Sequence, residues 1–352
     1  MREKDVFFEK QKWKKVEYSR SKIIKSGKTI KDADATEDQI KEATAVIDNW
    51  RAAHAYPLHV IYTHLRRMAS NKPNIIVAER LKRLDSIINK LKREPSMSLW
   101  TMQDLGGCRY IVPKIKDVYS SANQYESSRK RHVKVDEYDY IDKPKASGYR
   151  SYHVVYEYKS DVNETYNKNM MVEIQFRTHL QHVWATAVET MGLFTKQAIK
   201  SGQGSDDVKR FFALVSSLFA IKENCPLVPG TPTDIDEIVS EIEEINSRCN
   251  YIDMLSAIRV AVDDQDNKHF QQQGYYILIL NYNTRMLKVK HFKPSQLEMA
   301  TEIYQSIERT RAESKIDAVL VRVDSFKTLK SAYPNYFSDI GEFVSLVKEY
   351  LT

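Results

Sequence analysis

Four segments of this chain combine residue types that bind phosphate and metal ions. Residues 171–177 read as a strand, with Val172, Ile174 and Phe176 on one face and Glu173, Gln175 and Arg177 on the other. A carboxylate, an amide and a guanidinium in register suit the floor of a site; they equally suit the wet side of a half-exposed antiparallel strand. At 104–109 the run DLGGCR sets Asp104 just before a glycine pair that opens a second strand. Asp104 there is a metal ligand or a turn cap. Mg²⁺ takes one or two carboxylates plus substrate phosphates, and Asp104 with Glu173 supplies that pair. The third segment is RLKRLDSIINK at 80–90. On a helix, Arg83, Ser86 and Lys90, and likewise Lys82, Ser86 and Lys90, fall on one stripe. Arg offers a fork and Lys a point charge to a triphosphate; a solvated helix face has the same look. The fourth segment, 139–153, sets Tyr149 as an exposed aromatic among Lys143, Lys145 and Arg150, with Ser151 and His153 sharing a strand face beyond it. Tyr149 can stack on a base while the cations neutralise phosphates. The plainer reading is a loop whose tyrosines pack inward.

These segments need elements to hold them. Apolar spacing predicts helices from residue 36, over 57–67 and over 75–93. Strands follow at 108–112, 132–138, 151–158 and 170–177, with a helix at 116–128 and another from 179 to about 200. Residues 202–207 break the pattern. Helices resume, including a long polar one over 233–262. A second strand-rich block begins near 275: a hairpin of 276–280 with 286–292 around 281–285, a helix over 295–312, a strand at 319–323 and a last helix over 339–351. The expected fold class is α+β: a mixed sheet flanked by helices, followed by a smaller C-terminal α+β domain. The expected divisions are a helical region (1–74), the main domain (75–205), a helical connector (206–270) and the C-terminal domain (271–352).

Composition narrows the function. At 352 residues and 42% hydrophobic, the chain can bury a real core. No apolar run approaches a membrane span, the N-terminus lacks a signal-peptide core, and Cys108, Cys225 and Cys249 make no CxxC pair. A cytoplasmic protein is expected. Residues 1–200 carry 37 Lys and Arg against 25 Asp and Glu; residues 201–352 carry 17 against 22. A basic half suits phosphate-rich ligands or nucleic acid, and an acidic half suits a fold-back onto it.

In their order, RLKRLDSIINK, DLGGCR, YIDKPKASGYRSYH and EIQFRT resemble the synthetase domain of the RelA/SpoT family over about residues 75–200. No HD pair of an upstream hydrolase domain is seen. The resemblance implies a nucleotidyltransferase-like fold and Mg²⁺-dependent transfer of pyrophosphate from ATP to a ribose hydroxyl. Asp104 and Glu173 match the metal ligands, with Glu173 also helping to activate the hydroxyl. Arg80 and Arg109 match residues that clamp the adenine. Lys82, Ser86 and Lys90 match the ATP-phosphate contacts, and Gln175 and Arg177 the rest of the ATP-site floor. Tyr149 matches the aromatic that stacks on the acceptor base, with Lys143, Lys145, Arg150 and His153 around it.

The chain is more sharply similar to the family's fused toxin–antitoxin members, the CapRel-like proteins. The run NWRAAHAYPL at 49–58, QHVWATAVE at 181–189 and Tyr333-Pro-Asn-Tyr336 carry this likeness. It implies a C-terminal regulatory domain, a zinc-finger-like module without its metal, whose Tyr333 and Tyr336 lie over the ATP site and keep it off. It also implies the 3′ end of tRNA as acceptor, translation arrest in phage defence, and a phage capsid protein as the trigger. The alternative is a small alarmone synthetase making (p)ppGpp from GTP or GDP. A non-catalytic nucleotide-binding regulator is disfavoured, because both carboxylates and Tyr149 are intact.

Overall fold

The computed structural model of the chain describes residues 13–195, 205–257, 261–263, 273–281, 284, 286–314, 316–337 and 340–351. Parts of several expected elements lie outside them: residues 1–12 of the N-terminal region, 196–204 at the end of one helix and in the break after it, 258–260 of the long polar helix, 282, 283 and 285 in the C-terminal hairpin turn, and 339 at the start of the last helix. The helices α1 (Arg20–Thr29), α2 (Glu37–Ala53) and α3 (Ala55–Ala69) come first. Thr36 and Gln39 close a capping box at the start of α2, which satisfies its first amides locally. The periodic residues Val46, Ile47 and Trp50 of α2 are fully buried, and so are Ile61 and Leu65 of α3.

The next stretch departs from expectation. Instead of one helix over 75–93 there is a strand, β1 (Ile76–Leu81), and then a shorter helix, α4 (Leu84–Arg93). Val77 and Leu81 are four apart, and that spacing puts two residues on one face of a strand as well as of a helix. Periodicity alone does not separate the two, and the β-branched Ile75, Ile76 and Val77 favour the strand.

The remaining strands are β2 (Gly106–Val112), β3 (Val133–Asp139), β4 (Tyr152–Glu157), β5 (Met171–Thr178), β6 (Ala261–Asp263), β7 (Gly274–Asn281), β8 (Met286–Phe292) and β9 (Ile316–Val323). These nine, the strands among the described residues, form one mixed sheet in the order β3-β4-β5-β2-β1-β9-β7-β8-β6. β2 runs parallel to β5, while β1 with β2 and β4 with β5 are antiparallel. Strands of the C-terminal block therefore extend the first sheet rather than forming a second one. The joint is short: β9 meets β1 at Glu79↔Arg322 and Arg80↔Val321.

Helices α5 (Ile115–Glu126), α6 (His179–Thr195), α7 (Asp206–Glu223), α8 (Ile235–Cys249) and α9 (Tyr251–Ala257) pack around the first half of the sheet. The expected helix over 233–262 breaks at Asn250, whose φ of 53° is left-handed, giving α8, α9 and then β6. In the C-terminal block, α10 (Leu297–Ser314) covers one sheet face, and α11 (Phe326–Ala332) and α12 (Pro334–Phe337) cover the other. The last helix, α13 (Gly341–Lys348), leaves this block: Phe343, Val344 and Val347 join the core built from α6 to α9.

Candidate active site

Strand register assembles the site. β2 and β5 set Gly107 beside Glu173 and Arg109 beside Gln175; β4 sets His153 beside Gln175; β1 sets Arg80 opposite Gly107. Because side chains alternate, Arg80, Arg109, His153, Glu173, Gln175 and Arg177 share one face. Gly107 adds no side chain between Arg80 and Glu173.

Two carboxylates occupy the centre. Asp104, just before β2, accepts from Lys82 Nζ at 2.7 Å and Lys90 Nζ at 3.1 Å. Burial pushes its carboxyl up and Glu173 adds to that, yet Lys82 and Lys90 hold it below the ordinary value. Glu173 Oε1 lies 2.9 Å from His153 Nδ1, and Gln175 Nε2 donates to its Oε2 at 2.6 Å. Burial again opposes ionisation, but His153, Gln175 and Lys82 outweigh it and hold Glu173 well below the usual carboxylate range. With Nδ1 donating to Glu173, His153 Nε2 is free to accept from Tyr149 Oη, 2.9 Å away. Tyr149, His153 and Glu173 thus form a hydrogen-bonded chain. The donor set fits Mg²⁺. Two ionised carboxylates in each other's field would hold the ion in part, with water and phosphate oxygens completing the shell. Among the described residues no group of three or more His, Cys, Asp or Glu side chains is placed to hold an ion alone.

The phosphate candidates sit on two elements. Lys82 lies between β1 and α4, Ser86 in the first turn of α4 and Lys90 in its last turn. Lys82 and Lys90 converge on Asp104, so these two lysines face a site carboxylate, while Arg83 of the expected stripe pairs with Asp317 instead. Arg177 is buried against His182 Nδ1, and its Nε and Nη1 have no hydrogen-bond partner among the described residues. Burial and the neighbouring Arg109 pull its pKa down to about 10.

Two acceptor candidates are placed otherwise than expected. Tyr149 is not an exposed aromatic: it is 5% accessible and packed in the core of α6 and α7. Its pKa rises to about 12 through burial. Arg150 is buried too, and donates from Nε to Ser216 Oγ at 3.0 Å and from Nη1 to the Ile141 carbonyl at 3.3 Å. The cause is Gly148, whose φ of +88° turns the chain under α7, where a Cβ would lie 2.8 Å from Trp184 and 2.9 Å from Ser216 Cβ. Lys143 and Lys145 stay exposed, with Lys145 Nζ 4.1 Å from the centre of the Tyr140 ring.

The C-terminal block covers the Arg109 side of the floor. The guanidinium of Arg109 lies 5.1 Å from the centre of the Tyr333 ring and donates to the Ala332 carbonyl at 3.0 Å. Tyr333 Oη donates to the Glu79 carbonyl at 3.2 Å. Tyr336 Oη donates to Asp317 Oδ2 at 2.8 Å, and Arg83 pairs with the same carboxylate. Both tyrosines are buried.

Sequence reasoning missed His182 and Glu189. Glu189 Oε1 is 3.7 Å from Arg109 Nη2. His182 joins Arg177 to the Ser331 carbonyl, to which its Nε2 donates at 2.8 Å. Both stand in the run 181–189, and their separation of seven residues, two turns of α6, put them on one helix face.

Residues 79–197 match the family described as the region found in RelA/SpoT proteins, so this part of the chain is a RelA/SpoT-type domain. Within that class, GTP pyrophosphokinase YjbM of Bacillus subtilis (strain 168) is 36% identical over 118 residues, 33% of this chain and 55% of the relative. GTP pyrophosphokinase YwaC of the same organism is 34% identical over 116 residues, 30% of this chain and 52% of the relative. The chain spans about half the length of these curated relatives. Among solved structures, the small alarmone synthetase 1 from Bacillus subtilis bound to its product pppGpp matches at 29% identity and a TM-score of 0.40, over 50% of this chain and 89% of that one. Among the described residues no helix is long and apolar enough to cross a membrane.

Proposed function

We propose that this chain transfers a pyrophosphate group from ATP to a ribose hydroxyl, with the 3′ end of tRNA as acceptor, and that its C-terminal domain (271–352) holds the activity shut until a partner opens it. The observation that carries the transfer reading is the pair Asp104 and Glu173, ringed by Lys82, Lys90 and His153. A ribose oxygen attacks the β-phosphorus of ATP; the bond from that phosphorus to the oxygen bridging the α-phosphate breaks, and AMP leaves. Such transfer depends on positioning and charge neutralisation more than on covalent help. Mg²⁺ held by Asp104 and Glu173 would neutralise phosphate charge there. Lys82, Lys90 and Ser86 would meet the phosphates. The orphan donors of Arg177 accept further negative charge. Glu173 takes the hydroxyl proton, and His153 and Tyr149 fix its orientation.

The shut state follows from Tyr333. A flat ring on the Arg109 guanidinium takes the place where an adenine would stack. A toxic activity aimed at tRNA would require such a cover, and the basic surplus of residues 1–200 suits an RNA acceptor. A phage capsid protein fits the part of trigger through preferential binding to the open form. The second reading, (p)ppGpp synthesis from GTP or GDP, is favoured by the names of the two Bacillus relatives, both GTP pyrophosphokinases.

The test uses the full chain with Tyr333→Ala and Tyr336→Ala, since removing 271–352 would also strip α13 from its core. The protein is incubated with β-labelled ATP, Mg²⁺, deacylated tRNA, and GTP or GDP. Label on tRNA supports the first reading, and label on guanosine nucleotide alone supports the second. No transfer to any acceptor rejects both.

A further inference from the structure

Helix α4 carries Ser86 and Lys90, yet it begins without a cap of its own. Its N-cap residue is Arg83, whose side chain makes no capping hydrogen bond. A helix start leaves its first amides unpaired, and α1, α2, α7 and α8 solve this with Ser19, Thr36, Ser205 and Asp234. At α4 the acceptor comes from far along the chain. The backbone N–H of Leu84 donates to Glu308 Oε1 on α10 at 3.1 Å. The same carboxylate accepts from Tyr304 Oη at 2.7 Å and from Arg51 Nη1 at 2.6 Å, and Asp48 accepts from Arg51 Nη2 at 2.9 Å. On the opposite face of the sheet, Arg83 pairs with Asp317 of β9. The C-terminal domain therefore grips the first turn of α4 from both sides. Blocking the site needs neither contact, because Tyr333 already lies on Arg109.

We infer that the C-terminal domain positions α4 as well as covering the site, with Glu308 serving as that helix's cap and as a positioning residue for Ser86 and Lys90. This rests on reading those side chains as nucleotide-phosphate contacts. It implies that opening moves Tyr333 off Arg109 while Glu308 stays on Leu84, and that a chain shorn of the domain binds nucleotide worse than an opened full chain.

The test isolates the cap from the charge pair. Full-length Tyr333→Ala is combined with Asp48→Asn and Arg51→Met, and then either with Glu308→Gln or with Glu308→Met. Neither strands a buried charge, the side chains are close in size, and only Gln keeps an acceptor for Leu84. Equilibrium binding of a non-hydrolysable ATP analogue with Mg²⁺ is measured alongside hydrogen exchange over residues 84–93. The Glu308→Met form should bind about tenfold more weakly and exchange faster over 84–93, while the Glu308→Gln form should match the Tyr333→Ala parent. Equal affinity and equal exchange in the two forms overturn the inference. Exchange is read without nucleotide, so a difference there with no analogue bound by any form locates the failure in the nucleotide-site reading, and the positioning role falls with it.

Discussion

At the scale of single residues, the two central carboxylates have different jobs although both are held ionised. Asp104 is bound by the cations Lys82 and Lys90, which a metal ion would displace, whereas Glu173 is held by Gln175 and His153. Glu173→Gln keeps size and hydrogen-bonding capacity and removes the charge. It should lower the transfer rate of the opened protein at least a thousandfold, the order seen when a key electrostatic group is lost, with little change in melting temperature. Transfer that survives this substitution removes Glu173 from the site. The histidines set a pH limit of their own. Burial pulls His54 from 6.5 to about 4, while its ring lies 2.7 Å from the Trp50 carbonyl. His182 is held well below 6.5 by burial and by Arg177 and Arg109. Both folded values are depressed, so the unfolded chain takes up these protons first as pH falls. Stability should be full above about pH 6.5 and drain away toward pH 4, at about 1.4 kcal/mol per pH unit for each histidine. Thermal melts from pH 7.5 to 4.5 check this, and His54→Gln should flatten the slope by one histidine's share.

At the scale of elements, what could be read from the chain followed from local pattern. The strand 171–177 and its polar face were legible because alternation and β-branched content agree. The start of α2 near Thr36 and the hairpin of β7 with β8 were legible for similar reasons. β1 was not, because Val77 and Leu81 satisfy both periods and the strand exists only through its neighbours β2 and β9. The burial of Tyr149 and Arg150 was not, because it depends on α7 arriving from more than fifty residues away. That arrival hangs on Gly148. Gly148→Ala forces a side chain into left-handed backbone and against Trp184, Ser216 and the Phe212 carbonyl, 3.1 Å away. It should destabilise the protein by about 2–3 kcal/mol. Chemical denaturation reads that loss directly. Transfer by the opened form should fall as well, because Tyr149 and His153 lose their seat beside Glu173.

At the scale of the whole molecule, the C-terminal block meets the RelA/SpoT-type part of the chain through two backbone pairs, through apolar packing of Ala78 beside Tyr333 and of α13 in the core of α6 to α9, and through a set of charges. Arg51–Glu308, Arg83–Asp317, Arg322–Glu79 and Arg66–Asp324 all cross the junction. Buried ion pairs add little net stability but are costly to break on one side, which suits a joint that must be specific and still open. The pairs are not equal. Arg66 and Asp324 meet at 2.6 Å with side chains 43% and 36% exposed, so water solvates both when the joint parts and the pair is worth well under 1 kcal/mol. Asp317 is fully buried and holds Arg83 and Tyr336 together. Asp317→Asn should cost the closed form about 1–3 kcal/mol relative to the open one, which moves the closed-to-open ratio by about 5- to 150-fold. Glu308 stays on Leu84 in this variant, so the phosphate helix remains ordered. The full-length Asp317→Asn protein should therefore show transfer activity without a trigger and arrest growth when expressed, while Arg66→Ala behaves as wild type. If the two variants are equally silent, the closed state is held by Tyr333 and α11 alone, and the charged joint has no share in the switch.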